Sequence, residues 1–519
     1  MTLILKTTRP DASRRLFLHH AGALSGLGAA AAPLALNLAG IGSAAAQSAS
    51  DYKAVVCLFL FGGNDSINMV LPTDAASWAN YSAVRNQAPE SIALLAPGTA
   101  KSGGVGTSPE QLGGVLPLTP TNAQGRSFAL HPVMGTLQTM FNTDKRLAIL
   151  PNVGTLVMPT TKAQYALGSH PKPASLFSHN DQQNTWQSFK PEGAVQGWGG
   201  RMGDLLASQN GRAVFTSISG SGNAVWLSGQ TVQQYQVSTS GAIRMGADGG
   251  GRIYGSTDVT AAMQRIVSGT RGGHVFEGDL ASVAQRSIDA EVTLRSALKP
   301  ASDPLFGTPA TNYNANNDPK LQYDNPTSGG KSFNSLAQQL QIVARMIDAS
   351  NSAGVSAKRQ VFFVSLGGFD THDNENRSHA DLMAKLAHGL RYFDTALGAM
   401  GAQGKVTTFT ASDFGRTFTS NGDGTDHGWG AHHFVMGGAV KGGDLYGNFP
   451  VLGAKNASNN NFDSSPNQSG NGSLLPETSV DQLGATIAKW FGVPDSQLGD
   501  VFPNLANFNA SQRNLGFML

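Results

Sequence analysis

The sequence is short of several things, and each shortage excludes something. One cysteine, Cys57, stands in 519 residues, so neither an internal disulfide nor a thiolate-held cluster can form. Charged residues make up only 13% of the chain, which argues against long solvated helices. The formal balance is +2, and Lys6, Arg9, Arg14 and Arg15 against Asp11 alone in segment 1–46 account for that excess. The rest is near neutral and carries no basic stripe, so no nucleic-acid partner is expected. Beyond residue 46 no run reaches the ~20 apolar residues that span a bilayer, so no permanent membrane span is expected. No GxGxxG or P-loop stands between a strand and a helix, which disfavours a nucleotide cofactor.

Glycine, by contrast, is abundant at 63 residues, and apolar residues reach 40%. Apolar runs recur along the whole length, so the composition indicates a folded protein rich in turns and close backbone approaches, not disorder. Cys57 sits inside one such run and reads as a buried structural thiol.

Ser13-Arg14-Arg15-Leu16-Phe17-Leu18 is similar to the twin-arginine export signal. A Gly- and Ala-rich apolar stretch, 21–41, follows, and Ala44-Ala45-Ala46 offers small residues for cleavage before Gln47. Its composition makes it a poor permanent anchor. Segment 1–46 is therefore expected to be a removable signal read by the twin-arginine export machinery. That leaves 47–519 as a single α/β domain in the periplasm or outside the cell.

Continuous apolar runs at 53–61, 146–150, 361–366 and 405–410 predict strands covered on both faces. Leu382, Leu386, Leu390, Phe393, Leu397 and Met400 recur at steps of three or four and mark one helix face. Further helices are expected at 335–348 and at 480–491, the latter stopped by Gly492 and Pro494. Strands alternating with helices predict a largely parallel sheet. Segments 301–332 and 453–476 read as long surface loops, and 219–256 as an irregular cap or small β subregion.

Three of the predicted strands run into polar, Gly-containing turns: Gly62-Gly63-Asn64-Asp65-Ser66, Gly367 to Asp373, and Ser412-Asp413-Phe414-Gly415-Arg416. In an open parallel sheet the ligand lies beyond the carboxyl ends of the strands. Asp65, Asp370, His372 and Asp413 are thus expected at one edge, with Asp426 and His427 close behind. Such a donor set suits one or two divalent ions of the Zn²⁺ or Mn²⁺ kind. A phosphoryl or sulfuryl oxygen polarised there makes a small anionic ester the implied substrate. Any one Asp among them can equally be a turn residue or helix cap. Ser178-His179 at a helix start reads either as nucleophile beside a ligand or base, or as an N-cap in a polar loop. Arg416 reads as an oxyanion clamp or, with slightly more weight, as the ion-pair partner of Asp413. The turns around Trp198 and Trp429 read as packing features.

The segments FLFGGNDSINMVLP at 59–72, ALHPVMGTL at 129–137, LFSHNDQQNTW at 176–186, GWGGRMGDLL at 197–206, GGFDTHDN at 367–374, SDFGRTFTSNGDGTDHGWG at 412–430 and VFPNL at 501–505 resemble, in order, those of the family known as domain of unknown function 1501. The resemblance implies an alkaline-phosphatase-like fold, a central mostly parallel sheet flanked by helices, shared with two-metal phosphatases, sulfatases and phosphoglycerate mutases. It implies that Asp65 resembles the first-strand metal Asp, that Asp370 and His372 resemble the Asp/His pair of one metal, and that His427 resembles the late His ligand. Asp413 resembles a strand-end Asp usually followed by His; Phe414 stands in that place here. Asp426-His427-Gly428 also resembles an Asp-His-Gly motif of phosphomutases, so the register between the two Asp motifs stays open. The expected function is metal-dependent hydrolysis of phosphate or sulfate esters. The alternative is a non-catalytic envelope protein for binding or assembly on the same fold.

Overall fold

The computed structural model describes residues 51–244, 251–269, 272, 275–459 and 461–519. The expected export signal over 1–46 lies outside the described residues. Residues Asp51–Leu519 form one compact unit. Among the described residues, no helix is long and apolar enough to cross a membrane.

The organising element is strand Lys53–Phe61, buried along almost its whole length. Its side chains alternate between two cores, as the two-residue period of a strand requires. Ala54, Val56, Leu58 and Leu60 face helices Ser335–Ala349 and Glu375–Ala399. Val55, Cys57 and Phe59 face Trp198, Trp226 and helix Val480–Phe491. A strand covered on both sides has no polar face to show, which explains the unbroken apolar run and the buried Cys57.

This strand sits near the middle of a nine-stranded sheet. The order is Thr478–Ser479, Leu147–Gly154, Ala431–Met436, Val406–Ser412, Lys53–Phe61, Arg359–Gly367, Ser217–Ser219, Tyr235–Ser238, Gly241–Ala242. Pairing is parallel except where Ala431–Met436 runs against both neighbours and Gly241–Ala242 against Tyr235–Ser238. The sheet is thus mostly parallel and flanked by helices. The three central strands end flush, with Phe61 opposite Gly367 and Leu60 opposite Ser412. Their three following loops therefore emerge side by side.

The strand expected at 53–61 appears with those bounds, the other three as Leu147–Gly154, Arg359–Gly367 and Val406–Ser412, and the helices at 335 and 480 start where their caps are. Asn334 accepts the N–H groups of Leu336 and Ala337, and Ser479 and Gln482 form a reciprocal capping box. Gly492 ends the last helix at φ 117. Segment 219–256 differs from expectation: Tyr235–Ser238 and Gly241–Ala242 extend the main sheet, and 245–250 lie outside the described residues. The loop 301–332 carries one short antiparallel pair, Gln322–Asp324 with Lys331–Phe333. Helix Trp198–Leu206 carries no helical sequence signal, since three of its nine residues are glycine. Packing requires two of them: a Cβ on Gly200 would lie 2.1 Å from the backbone carbon of Ser228, and one on Gly199 2.5 Å from the Trp226 ring.

Candidate metal centre

The loop after Arg359–Gly367 carries Asp370 and His372. The loop after Val406–Ser412 carries Asp413, and hairpin Arg416–Ser420 with Thr425–His427 carries Arg416, Asp426 and His427. His179 opens helix His179–Ser188. Asp370 is the meeting point. His427 Nε2 lies 3.3 Å and His372 Nε2 3.2 Å from its Oδ1, and His179 Nε2 lies 3.4 Å from its Oδ2.

Each imidazole is fixed from behind. His179 Nδ1 donates to Asp413 Oδ2 at 2.6 Å, and His427 Nδ1 to the Phe177 carbonyl at 2.8 Å. His372 Nδ1 lies 3.3 Å from Asp426 Oδ1. Acceptors at all three Nδ1 atoms assign the ring protons there, so a neutral ring presents a bare Nε2 to Asp370. Metal-ligating histidines are oriented in this way. His372 Nε2 and His427 Nε2 also stand 2.9 Å apart, and His179 Nε2 is buried without a hydrogen-bond partner. The Arg416 guanidinium already places one positive charge against Asp370 and 3.4 Å from His372 Nε2, and a further cation or a shared proton would satisfy the remaining imidazole lone pairs. His179, Asp370 and His427 offer ligand atoms that all lie within 4.8 Å of one another. The contacts to Asp370 match the edge of a tetrahedron built on metal–nitrogen bonds of ~2.0–2.1 Å, which is about 3.3 Å.

Charge tunes the groups in opposite directions. The Asp413 hydrogen bond raises His179 above its ordinary pKa, against the opposing effect of burial. Burial lowers His427, helped by the Arg416 and His179 charges. Burial works to raise the Asp370 carboxyl, but Arg416 and the neighbouring imidazoles overcome it and hold the carboxyl below its usual range. Asp413→Asn is therefore expected to lower the pKa of His179. Histidine NMR titration of chelated protein checks this; an unmoved His179 midpoint would show that Asp413 does not set it.

Several expected roles change. Asp413 does not face the cluster as a ligand. Its Oδ2 accepts from His179, from Gln183 Nε2 at 2.9 Å and from the Gly62 N–H at 3.2 Å, making it the support of His179. Asp426 likewise stands behind His372. Arg416 pairs with Asp370, not Asp413. Its other N–H groups go to the carbonyls of Gly62, Gly63, Phe369 and Thr425, and Nη1 also lies 3.4 Å from His372 Nε2, so it ties the loops together at the edge of the cluster. Asp65 is fully buried, and Arg85 binds both its oxygens. Asp65 Oδ1 also accepts from the Ile67 N–H, so the carboxylate is committed to a buried ion pair and its helix cap and not to the cluster. Ser178 occupies the N-cap position of its helix without making a cap hydrogen bond. Among the described residues, no Ser, Thr or Tyr hydroxyl hydrogen-bonds to His179, Asp370, His372 or His427.

Some participants lie beyond the residues the motifs singled out. Gln183 stands four residues after His179, one helical turn on, and that spacing is a legible signal. Glu375 accepts from Thr425 Oγ1 at 2.8 Å and so locks the hairpin to the Asp370 loop. The Phe177 carbonyl is backbone and leaves no trace in side-chain identity. Phe414 packs at a tilt against His427 and His179, with ring centroids 4.5 and 4.9 Å away.

A family model described as "Protein of unknown function (DUF1501)" matches residues 52–268 and 312–465. Every residue of the cluster and its supports falls inside those spans. The segment VFPNL at 501–505 falls outside them. No curated protein matches the chain.

Proposed function

From the premise that the chain belongs to the DUF1501 family, we propose that it is an exported, alkaline-phosphatase-like hydrolase that holds one divalent metal ion and acts on phosphate or sulfate esters in the periplasm or outside the cell. The observation that carries this reading is the convergence on Asp370 of three imidazoles, each with its Nδ1 already committed. His179, Asp370 and His427 would hold the ion, with His372 beside them. Two or three nitrogens favour Zn²⁺ or Mn²⁺ over Mg²⁺. When bound, such an ion supplies Lewis-acid polarisation of an ester oxygen.

The protein's own groups do the rest. Asp413 holds the His179 ring in its ligating tautomer, and Arg416 fixes the Asp370 carboxylate while neutralising part of its charge. His372, backed by Asp426 and 44% exposed, is placed to take or give a proton at Nε2. One ion fits better than two: Arg85 consumes Asp65, and the Phe414 ring fills the place of a further nitrogen donor. The absence of a hydroxyl bonded to the cluster among the described residues favours a second reading, a non-catalytic envelope protein that keeps a metal for binding or assembly.

His427→Ala separates these. It is expected to lower bound metal and to reduce hydrolysis of an aryl phosphate or aryl sulfate by about 100-fold or more, because it removes a ligand and not merely its support. Metal loss with no hydrolysis in the parent protein would favour the non-catalytic reading.

A further inference from the structure

Helices Thr257–Ser268 and Val275–Ala297 pack against each other, and the second also packs on Gly241–Ala242, the edge strand of the main sheet. Of the sixteen large hydrophobic side chains exposed among the described residues, ten fall within 243–292, so the exposure is concentrated and not scattered. On the first helix Val259, Met263 and Ile266 are exposed, and on the second Phe276, Leu280 and Val283. Both sets step by four and then three, the spacing of a seam that receives another helix. The first helix has twelve residues, a length at which an isolated helix is marginal in water, and Thr260 is its one buried residue. Packing normally stabilises so short a helix, yet its apolar stripe faces solvent. Tyr254 and Phe276, 96% and 78% exposed, present roughly 300–400 Å² between them, and the other eight side chains bring the face to the order of 800 Å², about what one partner gives to a standard interface. Val283 also lines a cleft of ≈ 810 Å³ with Val214, Val232, Tyr235 and Ile243, so the apolar face continues into a recess.

We propose that this helical pair is a homodimer interface, covered by the same two helices of a second copy of the chain packed antiparallel about a two-fold axis. Charge identifies the occupant. Asp258 and Asp279 stand early in their helices and Arg265 and Arg286 later, all exposed and without an ion-pair partner among the described residues. Antiparallel pairing sets the acidic start of each helix beside the basic part of its mate, so the face is complementary to itself. An anionic lipid surface is a poorer match, because 251–297 carries five Arg against five Asp and Glu. The inference goes beyond the metal reading and does not depend on it.

Sedimentation equilibrium of residues 47–519 tests the proposal, and the mass of two chains is expected at micromolar concentration. Met263→Glu and Leu280→Glu should each raise the dimer dissociation constant by about 10-fold or more. Both side chains are exposed, so replacing them leaves the core intact. Val105→Glu, at an exposed apolar position outside the pair, should leave the constant unchanged. Arg286→Glu should also weaken the dimer, and adding Asp279→Arg should restore it. The two positions are seven residues apart and do not pair within one helix, so rescue reports a contact between copies. A single-chain mass at about 50 µM would overturn the proposal. Co-sedimentation of that monomer with anionic vesicles would give the face to a lipid surface instead. A dimer unmoved by both glutamate variants, or one that the charge swap fails to restore, would equally overturn it.

Discussion

Replacing Arg85 by Met is expected to destabilise the protein by about 3–5 kcal/mol, the cost of leaving a buried charge without its partner. The Arg85 side chain has no exposed surface; it binds both oxygens of Asp65 and lies 3.8 Å from Glu375 Oε1. It also donates to the carbonyls of Thr417 and Phe418, pinning the hairpin that bears the site. Burial raises Asp65, but Arg85 more than offsets it and holds the carboxyl well below its usual range. Burial and the Asp65 charge push Glu375 upward. The two buried carboxyl groups are thus pushed in opposite directions around one buried guanidinium.

The sign with pH follows. A carboxyl whose folded pKa is depressed contributes stability above its unfolded pKa of about 3.9, and that stability is lost as pH falls through the lower folded value. Without Arg85, Asp65 can escape its penalty by protonating. The gap between parent and Arg85→Met should then be widest near neutral pH and narrow towards about pH 4. Denaturant midpoints at the two pH values check this. A loss below about 1 kcal/mol near neutral pH would show that Arg85 is not the counter-ion the packing indicates.

Gly62→Ala is expected to cost at least about 2 kcal/mol and to abolish metal retention as well. Gly62 has φ 116, in the region that side chains avoid, and its carbonyl accepts from Arg416 while its N–H donates to Asp413. An added Cβ would lie 2.4 Å from the backbone nitrogen of Asp370. The obstruction is backbone, not the end of a flexible side chain, so the Asp370 loop must move. The cluster depends on contacts of 3.2–3.4 Å made by that loop. A thermal midpoint together with metal content reads both effects. Full metal retention in a destabilised Gly62→Ala protein would separate the cluster from the strand-end geometry.

Much of this architecture was legible because it obeys local rules. After Lys53 the run 54–61 has no polar residue, and a strand between two cores needs none. The helices at 335 and 480 announce their starts through Asn334 and Ser479. Asp370 and His372 stand after Arg359–Gly367, which pairs in register with Lys53–Phe61, and the hairpin that follows Val406–Ser412 carries His427 to them. What escaped the sequence depends on orientation. Asp413 and Asp370 both follow parallel strands, yet Asp413 turns inward to His179 while Asp370 faces the cluster. Arg416 is three residues from Asp413 and 46 from Asp370, and it pairs with the distant one. Asp65 carries the first-strand motif, but its partner lies 20 residues on, in a helix that no motif marks. Helix Trp198–Leu206 exists because glycines permit contact with Ser228 and Trp226, against their own propensity.

The central claim is that the imidazoles around Asp370 hold a divalent ion, and the most direct measurement is elemental analysis of protein purified without chelator beside its Asp370→Ala variant. Asp370 contacts all three histidines, so its loss opens the cluster without removing any of them. The account predicts about one equivalent of Zn²⁺ or Mn²⁺ in the parent, and a small fraction of that in the variant. Equal and substoichiometric metal in the two proteins would contradict it. The cluster would then be a proton-sharing network, and the metal-dependent hydrolase reading would fall.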